Sequence, residues 1–115
     1  MGGFNTVRSS ATSTEDISTT AEALRKNFSA IALGINNTAT SAYAIGAYNS
    51  ATGTNASAIG YSNSASGLGS VAIGYDNSAS SSYSVSIGYS NSTAGYGGSF
   101  GYDNTVSSTY SFAIG

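Results

Sequence analysis

The sequence predicts an all-β repeat protein, a β-roll (β-solenoid) of ~14-residue coils, and three observations carry that prediction. A glycine closes an Ala-Ile-Gly-like phrase at Gly34, Gly46, Gly60, Gly74, Gly88, Gly101 and Gly115, at intervals of 12, 14, 14, 14, 13 and 14 residues. The residues between these glycines keep a strict apolar and polar phase. Only 7% of the 115 residues are charged, while Gly, Ser, Asn, Thr and Tyr abound and Pro, Cys, Trp and His are absent. A unit this short cannot bury its apolar face alone, so copies must stack. A disordered Gly/Ser linker would have no reason to hold the phase.

The clearest copy runs from Gly60 to Ile73. The third residue after each repeat glycine is always asparagine, at Asn37, Asn49, Asn63, Asn77, Asn91 and Asn104. Ser or Thr follows it, then a small or β-branched residue such as Ala65, Ala79 or Val106. Directly before each glycine stands a large apolar residue: Leu33, Ile45, Ile59, Ile73, Ile87, Phe100 and Ile114. Two residues earlier, Ile31, Val71, Val85 and Phe112 share its face by strand alternation. Each coil therefore reads as one strand such as Ser70–Ile73, a turn at the glycine, and a second short strand over the Asn-Ser-Ala stretch. Stacked ~4.8 Å apart, the coils would place Ile on Ile and Ala on Ala as a thin core. So narrow a core buries little area, which makes association into an oligomer the expected remedy.

Residues 1–27 do not repeat and are read as a separate region, an N-terminal arm and short helix, ahead of the roll at 28–115. Gly2-Gly3 and the Ser/Thr-rich stretch to Thr12 suit a flexible or docking arm. Ser13 then offers an N-cap, Glu15 and Asp16 favour a first helical turn, and Ile17, Ala21, Leu24 and Phe28 form one stripe, with Arg25 and Lys26 in the last turn.

Several function classes are excluded or disfavoured. The stretch from Asn27 onward holds two charges, Asp76 and Asp103, so it cannot neutralise a phosphate backbone and no nucleic-acid partner is expected. No apolar run approaches the ~20 residues of a membrane helix. Without His or Cys, and with Lys26 as the sole lysine, neither acid–base nor nucleophilic catalysis has its parts. The expectation is a non-enzyme without cofactor or metal. Asp76 and Asp103 sit in equivalent turns and lack the dense Gly/Asp nonapeptide pattern of a calcium roll. Gly95-Tyr96-Gly97-Gly98 lacks the lysine of a phosphate loop and falls in the 13-residue copy, where a turn adapts to a deletion.

Ser-Val-Ala-Ile-Gly at 70–74, Ser-Val-Ser-Ile-Gly at 84–88, Ala-Ser-Ala-Ile-Gly at 56–60 and Ser-Phe-Ala-Ile-Gly at 111–115 resemble the head repeats of YadA-type trimeric autotransporter adhesins. The resemblance covers about residues 28–115. It implies a left-handed parallel β-roll assembled as a tight homotrimer, of the kind that binds host surfaces on bacteria and also occurs in bacteriophage fibres. The turn here is Tyr-Ser/Asp-Asn-Ser where the family's is Ala-rich, and charges are scarcer than on bacterial heads.

Two polar or aromatic features are candidates for specific roles. The Asn ladder reads as turn chemistry with stacked amides between coils, in preference to a ligand array. Tyr61, Tyr75, Tyr89 and Tyr102 each follow a repeat glycine and form an aromatic stripe, which suits packing between chains of the trimer or recognition of a receptor or glycan. A second set, Tyr83, Tyr96 and Tyr110, lies five residues before the glycines.

The expected role is a structural and attachment protein, a fibre segment on a bacteriophage virion whose N-terminal region docks on a larger assembly. Met1, the missing signal-peptide pattern and the absence of a neck, stalk or membrane anchor motivate the virion surface. The alternative is the head of a bacterial cell-surface adhesin. An ice-binding solenoid is a remote alternative, disfavoured because the threonines do not align into an array. Gly115 closes a repeat with no polar cap, so more chain or a partner is expected to cover that end.

Overall fold

The computed structural model describes residues 10–14 and 30–115. It is a parallel β-solenoid of about six coils. The long strand of the first coil, β2 (Ile31–Thr40), turns its corner and starts two ladders at once. One ladder continues through β3 (Tyr43–Ala47), β5 (Ser57–Tyr61), β7 (Val71–Tyr75), β9 (Val85–Tyr89), β11 (Gly97–Tyr102) and β13 (Ser111–Ile114). The other runs through the two-residue strands β4 (Ser50–Ala51), β6 (Ser64–Ala65), β8 (Ser78–Ala79), β10 (Ser92–Thr93) and β12 (Thr105–Val106). Every rung between coils is parallel, and homologous residues face one another: Ile59 with Ile73, Gly60 with Gly74, Tyr61 with Tyr75, Ala65 with Ala79.

The first corner of each coil explains the invariant glycine and asparagine together. Gly74 has φ +123°, and a Cβ there would run into the carbonyl oxygen of Gly88 in the next coil. Only glycine fits that conformation and that approach. Two residues on, Ser62, Asp76, Ser90 and Asp103 take φ between 55 and 59°, which completes the reversal. Backbone carbonyls then point into the corner, and the asparagine amide answers them. Asn77 Nδ2 donates to Ile73 O at 3.0 Å in its own coil and to Gly88 O at 2.7 Å in the next. The same pair of contacts recurs at Asn49, Asn63 and Asn91.

The varying interval between glycines is absorbed at the opposite corner. The step from glycine to asparagine is three residues in every coil, whereas the loop after the short strand shortens in the 12- and 13-residue copies. Both ladders therefore stay in register along the whole roll.

The interior is made of small side chains. Ala39, Ala44, Ala51, Ala58, Ala65, Ala72 and Ala79 are fully buried, in line with Asn37, Asn49, Asn63, Asn77 and Asn91. Here the structure corrects the sequence-derived core. The alternation is as expected, but its faces are exchanged: Leu33, Ile59, Ile73, Ile87 and Phe100 stand half-buried on the outside, and Ile45 and Ile114 are 38% and 81% exposed. Corners of so few residues hold the two walls of a coil too close for branched aliphatic side chains, and alanine is what fills the gap.

The later coils carry a polar variation on this interior. Ser86, Thr93 and Ser99 replace alanine and are fully buried. Their hydroxyls satisfy one another and the backbone: Thr93 Oγ1 donates to Val85 O at 2.8 Å, Ser86 Oγ donates to Ser78 O at 2.7 Å, and the Thr93 and Ser99 hydroxyls lie 2.6 Å apart. Ser70 Oγ, by contrast, is buried with no hydrogen-bond partner.

An additional strand covers the outer edge of the first coil. β1 (Ser10–Thr14) pairs antiparallel with β2, from Ser10 opposite Thr40 to Thr14 opposite Ile35, with a bulge that passes over Asn36 at φ 53°. It protects an otherwise open row of backbone donors and acceptors. Ser13 and Thr14, expected to open a helix, therefore belong to a strand; the remainder of that expected helix, up to Phe28, lies outside the described residues.

Candidate functional site

The long-strand ladder presents three columns of side chains on its outward face. Strand alternation turns every second residue of each long strand outward, and register stacks them coil on coil. The first column is Ile31, Tyr43, Ser57, Val71, Val85, Gly98 and Phe112. The second contains Leu33, Ile45, Ile59, Ile73, Ile87, Phe100 and Ile114. The third begins with Ile35 and Ala47 and continues as Tyr61, Tyr75, Tyr89 and Tyr102. All three are dominated by apolar or aromatic groups, and none is covered by another described element of the chain. At the shortened coil the columns compensate one another: Gly98 leaves room that the ring of Phe100 occupies, and a Cβ on Gly98 would collide with that ring.

The tyrosine column is a stack, not a row of separate platforms. Tyr61 and Tyr75 have ring centroids 5.2 Å apart at 9°, Tyr75 and Tyr89 4.9 Å at 4°, and Tyr89 and Tyr102 5.0 Å at 7°. Tyr48 meets the end of the stack edge-on, at 65° to Tyr61. Each inner ring spends both faces on its neighbours and leaves an edge and the hydroxyl side open, with Tyr61, Tyr75 and Tyr89 44–45% exposed. Such a stack cannot offer ring faces to a sugar; it can offer a strip of aromatic edges.

The second tyrosine set lies at the N-terminal ends of the long strands, beside the first column. Tyr83 and Tyr96 are 6.2 Å apart at 17°, and Tyr96 and Tyr110 5.7 Å at 16°. With Val85, Gly97 and Phe112 they line a shallow apolar groove of about 280 Å³. Tyr83 and Tyr110 hold left-handed backbone angles, φ 58 and 60°, because they occupy the second corner itself.

The asparagines serve the fold and present no surface for a ligand. From Asn37 to Asn91 they are buried inside the corner, and Asn104 is half-buried, with their amides engaged by backbone and by one another. Among the described residues, no three His, Cys, Asp or Glu side chains come together as a metal site. Asp76 and Asp103 stand exposed at their turns. The polar cluster around Thr93 and the sense of the outward face do not follow from the repeat spacing. One signal for the latter was available: position 72 and its equivalents are always small, whereas position 71 and its equivalents range from glycine to tyrosine.

No curated protein and no solved structure matches the chain. The family model of the YadA head domain repeat (2 copies) matches residues 26–45, 38–63, 51–77 and 65–91, a span of more than half of the sequence. With in-register ~14-residue coils, each closed by a large apolar residue and a glycine, the chain belongs to the YadA head repeat family.

Proposed function

We propose that this chain is a segment of a homotrimeric attachment fibre, carried on a bacteriophage virion, with the roll as its shaft or head and residues 1–27 as the docking region. The observation that carries the reading is the outward face: an interior of alanine, serine and asparagine stabilises an isolated coil weakly, while the larger apolar side chains of Ile59, Val71, Ile73, Val85 and Ile87 all point out on one side. Continuous apolar faces of this kind mark association surfaces. Three copies related by a rotation axis along the roll would bury the central column and leave other faces free for a receptor or glycan. The change from non-repeating to repeating sequence near residue 28 supports a division between docking and fibre segments.

The head of an adhesin on a bacterial cell surface is the second reading, favoured by membership of the YadA head repeat family. Extending the gene in both directions separates them. Neighbouring virion structural genes support the fibre, whereas an export signal upstream together with a membrane-anchor barrel downstream would overturn it. Immunogold labelling of virions and cells gives the same decision without the gene.

A further inference from the structure

We propose that Tyr61, Tyr75, Tyr89 and Tyr102 form a site of oxidative cross-linking, at which neighbouring rings couple into dityrosine and staple successive coils covalently. The inference rests on the ring stack and is independent of the trimer. Parallel in-register strands place identical atoms of successive rings one coil rise apart, and the rings lie within 9° of parallel at 4.9 to 5.2 Å. The carbons ortho to each hydroxyl carry much of the spin in a tyrosyl radical, and in this stack each has its counterpart on the next ring as a near neighbour. The outer edges are open, so a ring can tilt toward its neighbour and an oxidant can reach it.

The chemistry balances with a one-electron oxidant, here hydrogen peroxide acting through a haem peroxidase. Two phenols each lose one electron and one proton to give two tyrosyl radicals. The radicals join through a bond between their ortho carbons, and the hydrogen on each of those carbons then moves to the phenol oxygen. The net loss of two electrons and two protons reduces one hydrogen peroxide to two waters. The product keeps both hydroxyls and a bond between two coils.

Exposure alone would favour different residues. Tyr110 is 81% exposed, yet its ring lies 5.7 Å from Tyr96 at 16°, a looser pair. Stacking predicts coupling along the first column; exposure predicts coupling at Tyr110.

The test treats the full chain with hydrogen peroxide and haem peroxidase, then digests it with a protease that cleaves before aspartate. Cleavage before Asp76 and Asp103 puts Tyr75 on one peptide, Tyr89 on the next, and Tyr110 on the last. The expected result is dityrosine fluorescence, a chain that still runs as a single chain on a denaturing gel, and a peptide pair joined through Tyr75 and Tyr89 with the loss of two hydrogens. Tyr89→Phe keeps a ring in the stack, removes the phenol, and should abolish that joined pair while leaving coupling between Tyr61 and Tyr75. Unfolding in urea before oxidation should abolish the joined pair as well. The proposal is overturned if coupling is chiefly between chains, if it joins Tyr96 to Tyr110 in preference, or if Tyr89→Phe leaves the yield of the joined pair unchanged.

Discussion

The side-chain carbonyl of Asn63 accepts two hydrogen bonds from Asn77, one from its backbone N–H and one from its amide Nδ2, each at 3.0 Å. Repeated from Asn37 to Asn104, this relation runs a continuous amide ladder along the corner of the roll, with every link between 2.9 and 3.0 Å. Asparagine suits the position because it donates to carbonyls of its own and the next coil through Nδ2 and accepts from the next rung through Oδ1.

Asn77→Asp should be among the most damaging isosteric changes in the chain. It replaces a donor by a carboxylate oxygen facing the carbonyls of Ile73 and Gly88, inside a corner where Asn77 is 1% exposed. Three acceptors, Ile73 O, Gly88 O and Asn63 Oδ1, lose the Nδ2 donor and a charge is buried, which together should cost about 3 kcal/mol or more at neutral pH. Burial raises the folded-state pKa of the new carboxyl above its unfolded value, so the deficit should grow as pH rises through about 4 and shrink in acid. Urea unfolding midpoints at two pH values check both parts.

Gly74→Ala and Gly69→Ala should separate steric exclusion from simple left-handed strain. At Gly74 a methyl meets the backbone oxygen of Gly88, which cannot move without breaking a rung, and a loss of more than about 3 kcal/mol is expected. At Gly69, with φ +62°, a methyl meets only the ring of Tyr83 at 3.1 Å, and the expected cost is about 1–2 kcal/mol. Thermal unfolding of the two variants side by side gives the ranking.

Ser70→Ala should stabilise the roll. Its hydroxyl is buried without a partner, while the equivalent Ala42 and Ala56 are fully buried as alanine. Removing an unsatisfied hydroxyl should gain about 1 kcal/mol. The equivalent Ser84 donates to Ser81 O at 2.6 Å, so Ser84→Ala should lose stability and serves as the control. Opposite signs of the shift in unfolding midpoint are the expected outcome.

Ala72→Leu and Ile73→Ala should reverse the ordinary order of severity in a β-protein. Ala72 is fully buried between walls that leave no room, and a leucine there should cost about 3 kcal/mol or prevent folding. Ile73 is half-buried on the outside, so its truncation should leave the fold of a single roll in place and lower the stability of the oligomer instead. Circular dichroism with size-exclusion chromatography distinguishes loss of fold from loss of association.

The architecture was legible in the sequence because one short period controls everything about a solenoid. The phase of Gly60, Asn63, Ala65 and Ile73 identifies the corner, the ladder residue and both strands, and the in-register pairing of each follows. The direction of the strand face was the exception. Hydrophobicity alone sends Ile73 inward and leaves Ala72 as filler, and the opposite holds because three-residue corners make the coil thin. Constancy of size at positions 44, 58, 72, 86 and 99, always Ala or Ser, is the better guide to an interior than greasiness. β1 was not legible at all: Ser10–Thr14 has no apolar alternation, and it is a strand only because the edge of β2 supplies its partners. The stripe of Tyr61, Tyr75, Tyr89 and Tyr102 was readable as a stripe, but its face-to-face stacking depends on the ring angles and not on spacing.

In the proposed fibre, the outward columns around Ile59, Ile73 and Ile87 are an interface between copies of this chain. The mass of the purified chain in solution, measured by light scattering, tests it most directly. The expected particle has three times the mass of the 11.4 kDa chain, reduced to one chain by Ile59→Asp combined with Ile87→Asp while the β-rich spectrum persists. A stable, folded particle of 11.4 kDa from the unaltered chain would contradict it.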